Sequence, residues 1–381
     1  ISTFAYVGAK YGYTMLWGLL LLTFALAIVQ EMNARMAVVT GKGLSDLIRE
    51  RFGVRWTFFA MIVLFLANFG VTLGDFAGVA ASLELFGVSK YLSVPVVAVA
   101  IAFLITKGSY RKIEKVFLLF TLAFFGYILS ALIIQPDWPV VIRSVVTPHL
   151  RFDTGYLLAF IGLIGTTISP YMQFYLQAAI VDKKISLRDY KYEKLDVYLG
   201  SLWGATISFF VIVCTAATLH EAGIEADSVS AIALALKPLA GDYAFILFGA
   251  GLFGASVLAC AIIPLSTSYA ICEAFGWESG VDNQMQDAKA FFSIMIGILF
   301  FAGLLVLIPG IDLIPLILAT QQIAGILVPV ILIFMILLVN DRRIMGKYTN
   351  SKLQNLISSI TVLFIISLTT ILLISQILKM F

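Results

Sequence analysis

The sequence predicts an all-α integral membrane protein with about eleven transmembrane helices, the first of which is incomplete. Apolar residues make up 61% of the chain and charged residues only 12%, and the mean hydropathy is +1.02. Soluble domains are about half apolar and about a quarter charged. A chain this apolar needs lipid as its solvent, and 381 residues leave room for that number of helices of roughly 20 residues with short loops.

Apolar runs place the helices along the chain. The first is a half-span at 1–9, and ten spans follow at 14–39, 56–86, 91–106, 113–134, 155–180, 195–219, 241–274, 290–309, 313–339 and 355–378. The longer runs are expected to include helical extensions beyond the hydrocarbon. No segment has the composition of a soluble domain, so 1–381 is predicted to be a single transmembrane domain.

Lysine and arginine predict which side of the membrane each loop occupies. When the loops are assigned alternately to two sides, 18 of the 25 Lys and Arg residues fall on one side and 6 on the other, and Arg35 lies within a span. Basic loops are typical of the cytoplasmic side. The sequence therefore predicts a multi-pass protein of the cell membrane with a cytoplasmic N-terminus. Its expected partners are the lipid bilayer and a small ligand, and not nucleic acid.

One span carries the signals of an interrupted helix. Gly165 is a weak helix former, Thr166 and Ser169 can bond nearby backbone groups, and Pro170 lacks a backbone donor and collides with the preceding turn. Helices broken at mid-membrane let secondary transporters present carbonyl groups and half-helix ends to an ion. A simple proline kink with packed hydroxyl groups is the alternative, because proline is common in membrane helices.

Other polar residues lie in apolar surroundings. Gln321 lies midway along the tenth span, and Asp75 lies deep in the third. Each needs a partner or a wet cavity at that depth, and an intramembrane carboxylate is a functional candidate by default. Hydrogen bonds between neighbouring helices are the structural alternative for both. Glu31 and Arg35, four residues apart, are predicted to form a structural ion pair.

Catalytic and redox sites have no counterpart in the sequence. The three cysteines are isolated in apolar stretches and are predicted to be core residues, and the two histidines lie in or beside loops. This pattern excludes a disulfide framework and a zinc cluster. There is no nucleophile with a base and no cofactor-binding loop, so the sequence predicts neither an enzyme nor a resident cofactor.

Several blocks of the chain resemble the NRAMP family of divalent metal transporters, in the family's order. The most specific is Asn-Asp-Arg-Arg-Ile-Met-Gly at 340–346, which is similar to the loop between the family's tenth and eleventh helices. The blocks at 8–17, 30–44 and 264–274 resemble segments of its first, second and eighth helices. The resemblance extends along nearly the whole length of the chain.

The resemblance implies the leucine-transporter-type fold. Two inverted five-helix repeats, at 1–134 and 155–339, would each contain a broken helix, and 355–378 would be an additional helix. The family's first-helix motif, Asp-Pro-Gly-Asn, would end immediately before Ile1. Its two metal ligands would therefore lie outside this numbering.

The matched sixth helix departs from the family in the chemistry of its ligands. Family members that carry manganese or iron have Ala-x-x-Met-Pro-His, whereas this chain has Thr166, Ser169 and Tyr171 in place of the Ala, the Met and the His. A soft thioether is replaced by a hydroxyl, and oxygen ligands suit magnesium, calcium and manganese. We therefore expect a transported divalent cation, most of all magnesium and also manganese, at a site made by Thr166, Ser169, Tyr171 and Gln321.

The family's proton route is depleted as well. Thr72 and Asp75 occupy the places of an Asp-x-x-Glu pair, Leu176 replaces a second histidine, and 291–308, where the family has arginines, contains no ionisable group. A proton relay needs titratable groups in series. The sequence therefore favours transport without proton coupling, as the resemblance implies for the family's magnesium-transporting branch. The alternatives are a proton-coupled manganese or iron importer and a metal-sensing membrane protein that does not transport.

Overall fold

The computed structural model describes residues 1–106, 122–281 and 283–378. The helices are α1 (Ser2–Tyr11), α2 (Leu16–Thr40), α3 (Leu44–Glu84), α4 (Lys90–Thr106), α5 (Phe125–Ile134), α6 (Trp138–Val146), α7 (Thr154–Thr167), α8 (Pro170–Asp182), α9 (Tyr190–Thr215), α10 (Val229–Ala233), α11 (Lys237–Ala240), α12 (Ala244–Phe275), α13 (Lys289–Val306), α14 (Leu313–Val339), α15 (Arg342–Met345) and α16 (Lys352–Leu378). A π-helical turn, Ala216–His220, extends α9.

The number and type of helices agree with the prediction. Within the described residues, eight helical segments are long and apolar enough to cross a membrane, and α7 and α8 together count as one of them. Lys90–Thr106 and Leu122–Ile134 are shorter apolar helices, and α1 is the short first helix, which gives the eleven predicted. Large apolar side chains point outward, among them Val99 at 68% exposure. The chain is a multi-pass integral membrane protein.

Two predicted boundaries differ from the structure. The predicted span 113–134 is seen only from Leu122 onward, because 107–121 lie outside the described residues. The stretch before the predicted span 56–86 was expected to be a loop, but α3 already begins at Leu44. The two parts of α3 meet at Gly53, whose φ of 77° and ψ of 176° are not helical. A φ in this range favours glycine. Gly53 therefore allows a bend between the two helical parts of α3.

The described loops that carry lysine and arginine lie at one end of the molecule, and the predicted basic loop at 107–115 lies outside the described residues. Arg49 Nη1 donates to the carbonyl of Ala274 at 2.9 Å, and Arg51 Nε lies 2.5 Å from Asp341 Oδ2. These contacts join the start of α3 to the ends of α12 and α14. We call this end the basic face, and it comprises the segments 40–55, 182–194, 276–281, 283–289 and 340–352.

The predicted ion pair of α2 is present near this end. Arg35 Nη2 lies 3.2 Å from Glu31 Oε2, and both side chains are almost fully buried. Arg35 Nη1 also donates to the carbonyls of Tyr348 and Thr349, at 3.0 and 3.2 Å. The pair therefore ties α2 to the segment that precedes α16.

The helices that frame the centre of the bundle pack closely. α3 packs against α12 and α14, and α14 packs against α7. A Cβ at Gly165 of α7 would lie 2.0 Å from the carbonyl oxygen of Gln321, and a Cβ at Gly325 of α14 would lie 2.2 Å from the carbonyl oxygen of Ile161. Glycine at both positions lets the two backbones touch. This approach places Gln321 beside the interrupted helix.

Candidate metal site

The predicted interruption lies between α7 and α8. α7 ends at Thr167, Ile168 leaves the helical conformation (φ −123°, ψ 83°), and Ser169 is extended (φ −86°, ψ 146°). Pro170 is the first residue of α8, a position that tolerates proline because its missing N–H would have no helical partner. The proline therefore starts a new helix and does not merely kink one. We call 167–170 the break.

Neutral oxygen atoms from three helices meet at the break. The Thr166 hydroxyl donates to the Gly162 carbonyl at 2.9 Å. The same oxygen lies 3.1 Å from the hydroxyl of Thr3 in α1 and 3.3 Å from Oε1 of Gln321 in α14. Two of the four predicted site residues, Thr166 and Gln321, are thus in contact. Thr3 joins them, and sequence reasoning did not single it out.

The other two predicted residues lie in the adjoining turn. Ser169 Oγ donates to the Gly165 carbonyl at 2.6 Å, and only 4% of the residue is exposed. Its hydrogen is thereby directed at the backbone, and its oxygen lone pairs stay available. Tyr171 lies one residue into α8 and lines the same cavity as Thr166. Within the described residues, neither side chain makes a hydrogen bond to Gln321.

A cavity of about 490 Å³ opens at the break. Thr166 and Tyr171 line it, together with Gln30 of α2 and a part of α9 that includes Asp196. Met172 also lines the cavity and packs against the hydrophobic core. Within the described residues, no group of three or more His, Cys, Asp and Glu side chains could hold a metal ion. The polar side chains that line the cavity are neutral except for Asp196.

Residues 1–375 match the model of the Nramp family, described as natural resistance-associated macrophage protein-like. The chain belongs to the Nramp family. The resemblance predicted from the sequence blocks is confirmed. Among relatives, a protein named divalent metal cation transporter MntH from Yersinia pestis (strain Pestoides F) is 23% identical over 382 residues, covering 97% of this chain and 89% of the relative. The MntH of Pectobacterium carotovorum is 24% identical over 380 residues, covering 96% and 88%.

Solved structures confirm the fold of this Nramp chain. A manganese transporter from Eremococcus coleocola, crystallised with an aromatic bis-isothiourea substituted compound, superposes with a TM-score of 0.71 at 20% identity. The match covers 98% of this chain and 82% of that one. MhsT in complex with L-phenylalanine superposes with a TM-score of 0.59 at 15% identity, covering 99% and 96%. These likenesses confirm the predicted leucine-transporter-type fold.

The sequence did not predict a polar contact between α2 and the start of α8. Asn33 Nδ2 of α2 donates to Gln173 Oε1 of α8 at 2.5 Å, and Gln173 Nε2 donates to the Ser169 carbonyl at 3.2 Å. Asn33 and Gln173 are fully buried. Gln173 lies in the first turns of α8, and Ser169 is the residue before that helix. A buried amide just after the interruption was the available signal, but nothing in the sequence pairs Gln173 with Asn33.

Asp75 has the surroundings of an unpaired polar group. Its Oδ2 atom is buried and has no hydrogen-bond partner among the described residues. Asp75 is close enough to Tyr171 and Cys260 to interact electrostatically with both. The Thr72 hydroxyl donates to the Asn68 carbonyl at 2.8 Å, so it is occupied by its own helix. Asp75 therefore belongs to the neighbourhood of the break.

Proposed function

We propose that this Nramp chain carries divalent metal ions across the membrane, that magnesium is its preferred cargo, and that manganese is also carried. The observation that supports the proposal most directly is the set of neutral oxygens that Thr3, Thr166 and Gln321 bring together at the break. The names of its MntH relatives support divalent metal transport in general. The choice of magnesium rests on the chemistry of this chain's own side chains.

Neutral hydroxyl and amide oxygens suit a hard ion that keeps part of its water. Magnesium demands octahedral oxygen coordination and loses water reluctantly. Six waters at about 30 Å³ each occupy roughly 180 Å³, and the cavity of about 490 Å³ accommodates such a shell. The carboxyl end of α7 meets the break, and the partial negative charge of a helix C-terminus favours a cation there. We assign Thr166, Ser169, Tyr171 and Gln321 to this site, with Thr3 as a further oxygen.

Substitution of Ser169 tests the proposed ion preference. In proteoliposomes loaded with a magnesium-sensitive dye, the unmutated protein should take up magnesium, and magnesium should compete with manganese. Ser169→Met places a thioether at the break, and soft ligands favour transition metals. We expect this variant to lose magnesium competition and to gain cadmium or iron transport. Tight iron or cadmium binding by the unmutated protein, with no magnesium uptake, would overturn the proposal.

Met172 provides the matched control for that experiment. It lines the same cavity, so it is a second place where a thioether could reach an ion. Met172→Leu conserves volume and removes the sulfur. If Met172 is a packing residue, this variant should keep the magnesium and manganese preferences of the unmutated protein. A selective loss of manganese uptake would instead assign a soft ligand to Met172.

We further propose that the basic face is cytoplasmic and that the protein lies in the cell membrane. Loops rich in lysine and arginine are retained on the cytoplasmic side, and those loops share one end of the molecule. In this arrangement the N-terminus is cytoplasmic. The inverted repeats are assigned to 1–134 and 155–339, with α16 as the additional helix.

A second candidate function is a proton-coupled manganese or iron importer. The buried and unpaired Oδ2 of Asp75 favours it, because an intramembrane carboxylate is a common proton carrier. Asp75→Asn separates the two functions, since asparagine keeps the shape and cannot titrate. We expect Asp75→Asn to retain metal uptake, and uptake by the unmutated protein not to acidify the vesicle lumen. Metal-dependent acidification that disappears in Asp75→Asn would favour the second candidate.

A further inference from the structure

Two carboxyl groups meet at the basic face, away from the break. Asp46 lies in the first turn of α3, and Glu273 lies in the last turn of α12. Their side chains lie close enough to interact electrostatically. A Cβ at Gly43 would lie 1.8 Å from Glu273 Oε1, so the carboxyl group of Glu273 lies against the backbone before α3. Two neighbouring carboxylates repel each other unless a proton or a cation lies between them.

Two buried polar side chains around this pair lack partners. Ser45 is fully buried. Its hydroxyl lies near the Glu273 carboxyl, but within the described residues it makes no hydrogen bond. Gln177 is fully buried as well. Its Nε2 donates to the Lys42 carbonyl at 2.9 Å, beside Gly43, while its Oε1 has no partner. A buried acceptor without a donor has lost its water and gained no hydrogen bond in exchange, and a bound cation would supply the missing partner.

Two positive charges, on Lys42 and Arg49, lie close enough to Asp46 to interact with it. Lys42 Nζ also lies 2.5 Å from Glu50 Oε1, and Arg49 donates to the neutral carbonyl of Ala274. Asp182 adds a further negative charge close to Glu273. The carboxylates of this neighbourhood, on Asp46, Glu50, Asp182 and Glu273, therefore outnumber its cations by two. The local field therefore favours a small cation.

We propose that Asp46 and Glu273, with the oxygens of Ser45 and Gln177, form a second divalent-cation site at the basic face. The ligands are two carboxylates, a hydroxyl and an amide oxygen, a hard set that suits magnesium or manganese and does not suit soft metals. Binding at this site does not depend on transport. In transport, this site would be the last one that the ion occupies before it leaves the protein. That role rests on the proposed function.

A line of polar side chains on α8 connects this site with the break. Gln173 and Gln177 are four residues apart and share one face of the helix, and Ser169 is the residue before its first turn. Gln173 is bonded to the Ser169 carbonyl and to Asn33 of α2, and Gln177 reaches the loop beside Gly43. Asn33 Oδ1 is a further buried oxygen without a partner. Neutral oxygens on this face are therefore available to an ion that moves between the two sites.

Manganese binding to the purified chain tests the proposal. Manganese(II) alone is titrated into the protein in detergent, and the free ion is followed by electron paramagnetic resonance. We expect two classes of bound ion. Asp46→Asn and Glu273→Gln should each weaken one class by about tenfold or more, because ligand charge sets the affinity of oxygen sites. Gln321→Ala should weaken only the other class.

Controls keep the test independent of folding and of transport. Glu278→Gln changes an exposed carboxylate of the same loop region and should leave both classes unchanged. Ser45→Ala keeps both carboxyls, and we expect it to weaken the same class by about threefold. If Asp46→Asn, Glu273→Gln and Ser45→Ala are all folded and all leave both classes unchanged, the second site does not exist. That result would leave metal uptake untouched, whereas failure of the proposed function would appear as absent uptake with binding intact.

Discussion

The break and the Glu31–Arg35 network are both polar regions inside an apolar bundle, and they differ in charge and in the number of partners that each group has. Arg35 donates to Glu31, to the side chain of Asn350 and to two carbonyls, although its Nε has no partner among the described residues. Glu31 also accepts from Gln354 Nε2 at 3.0 Å and from the Tyr190 hydroxyl. At the break, the neutral oxygens of Thr3 and Gln321 lie 3.1 and 3.3 Å from that of Thr166, which also lines a cavity.

This difference distinguishes polar groups that stabilise the fold from polar groups that bind an ion. A buried charge with several partners fixes the positions of the helices that supply them, and removing one partner destabilises the protein. Neutral oxygens with spare lone pairs, beside a cavity, cost little to keep and can bind an ion. Changes in the network should therefore affect stability, whereas changes at the break should affect transport.

The largest effect is expected at Arg35. Arg35→Ala leaves Glu31 buried without its cation, and such losses destabilise proteins by about 3–5 kcal/mol. Thermal unfolding in detergent should show a clearly lower midpoint. Arg343→Ala is the matched control, because Arg343 has an exposed side chain at 77% and exposed ion pairs contribute little. An Arg35→Ala variant that is as stable as the unmutated protein but does not transport would show that the network acts in transport and does not stabilise the fold.

An intermediate effect is expected at Gly165. A Cβ there would lie 2.0 Å from the Gln321 carbonyl oxygen, so Gly165→Ala must separate α7 from α14. We expect a loss of stability of about 1–3 kcal/mol together with reduced metal uptake, since Thr166 and Gln321 would move apart. Gly297→Ala is the control, because no atom lies near its Cβ position; alanine in a helix should there be neutral or stabilising. Normal uptake by a folded Gly165→Ala variant would show that the contact between α7 and α14 is not needed.

The smallest effect on stability is expected at Gln321. Gln321→Ala removes one neutral oxygen from the break and should leave the unfolding midpoint nearly unchanged, while uptake of magnesium and manganese falls several-fold. Gln322→Ala, a change of the adjacent amide, should have the smaller effect on uptake, since Thr166 contacts Gln321 and not Gln322. Unchanged uptake kinetics in Gln321→Ala would make this amide structural.

The helices and the break could be predicted because their signals are local. Apolar runs define the spans, and Gly165 and Pro170 mark the interruption within six residues of sequence. The bend at Gly53 was missed because α3 continues through it and its first part is rich in charged residues. From the sequence alone, a single glycine in a charged stretch could mark either a bend within a helix or a loop.

The contacts of the site could be predicted only in part. Thr166 and Gln321 were selected as polar residues in apolar spans, but their meeting depends on the close approach of α7 and α14 through Gly165 and Gly325. Thr3 was missed because one hydroxyl near the start of a helix carries no signal of its own. Such pairings join residues more than 150 positions apart, and no local pattern specifies them.

Magnesium uptake by the unmutated protein tests the central claim most directly. Proteoliposomes would contain a magnesium-sensitive dye and a pH-sensitive dye, with and without an imposed pH gradient. We expect magnesium to enter in both conditions and the pH of the lumen to stay constant during entry, because the neutral oxygens of the break bind the ion without exchanging protons. Uptake of manganese or iron alone, and only with an inward proton gradient, would contradict the account.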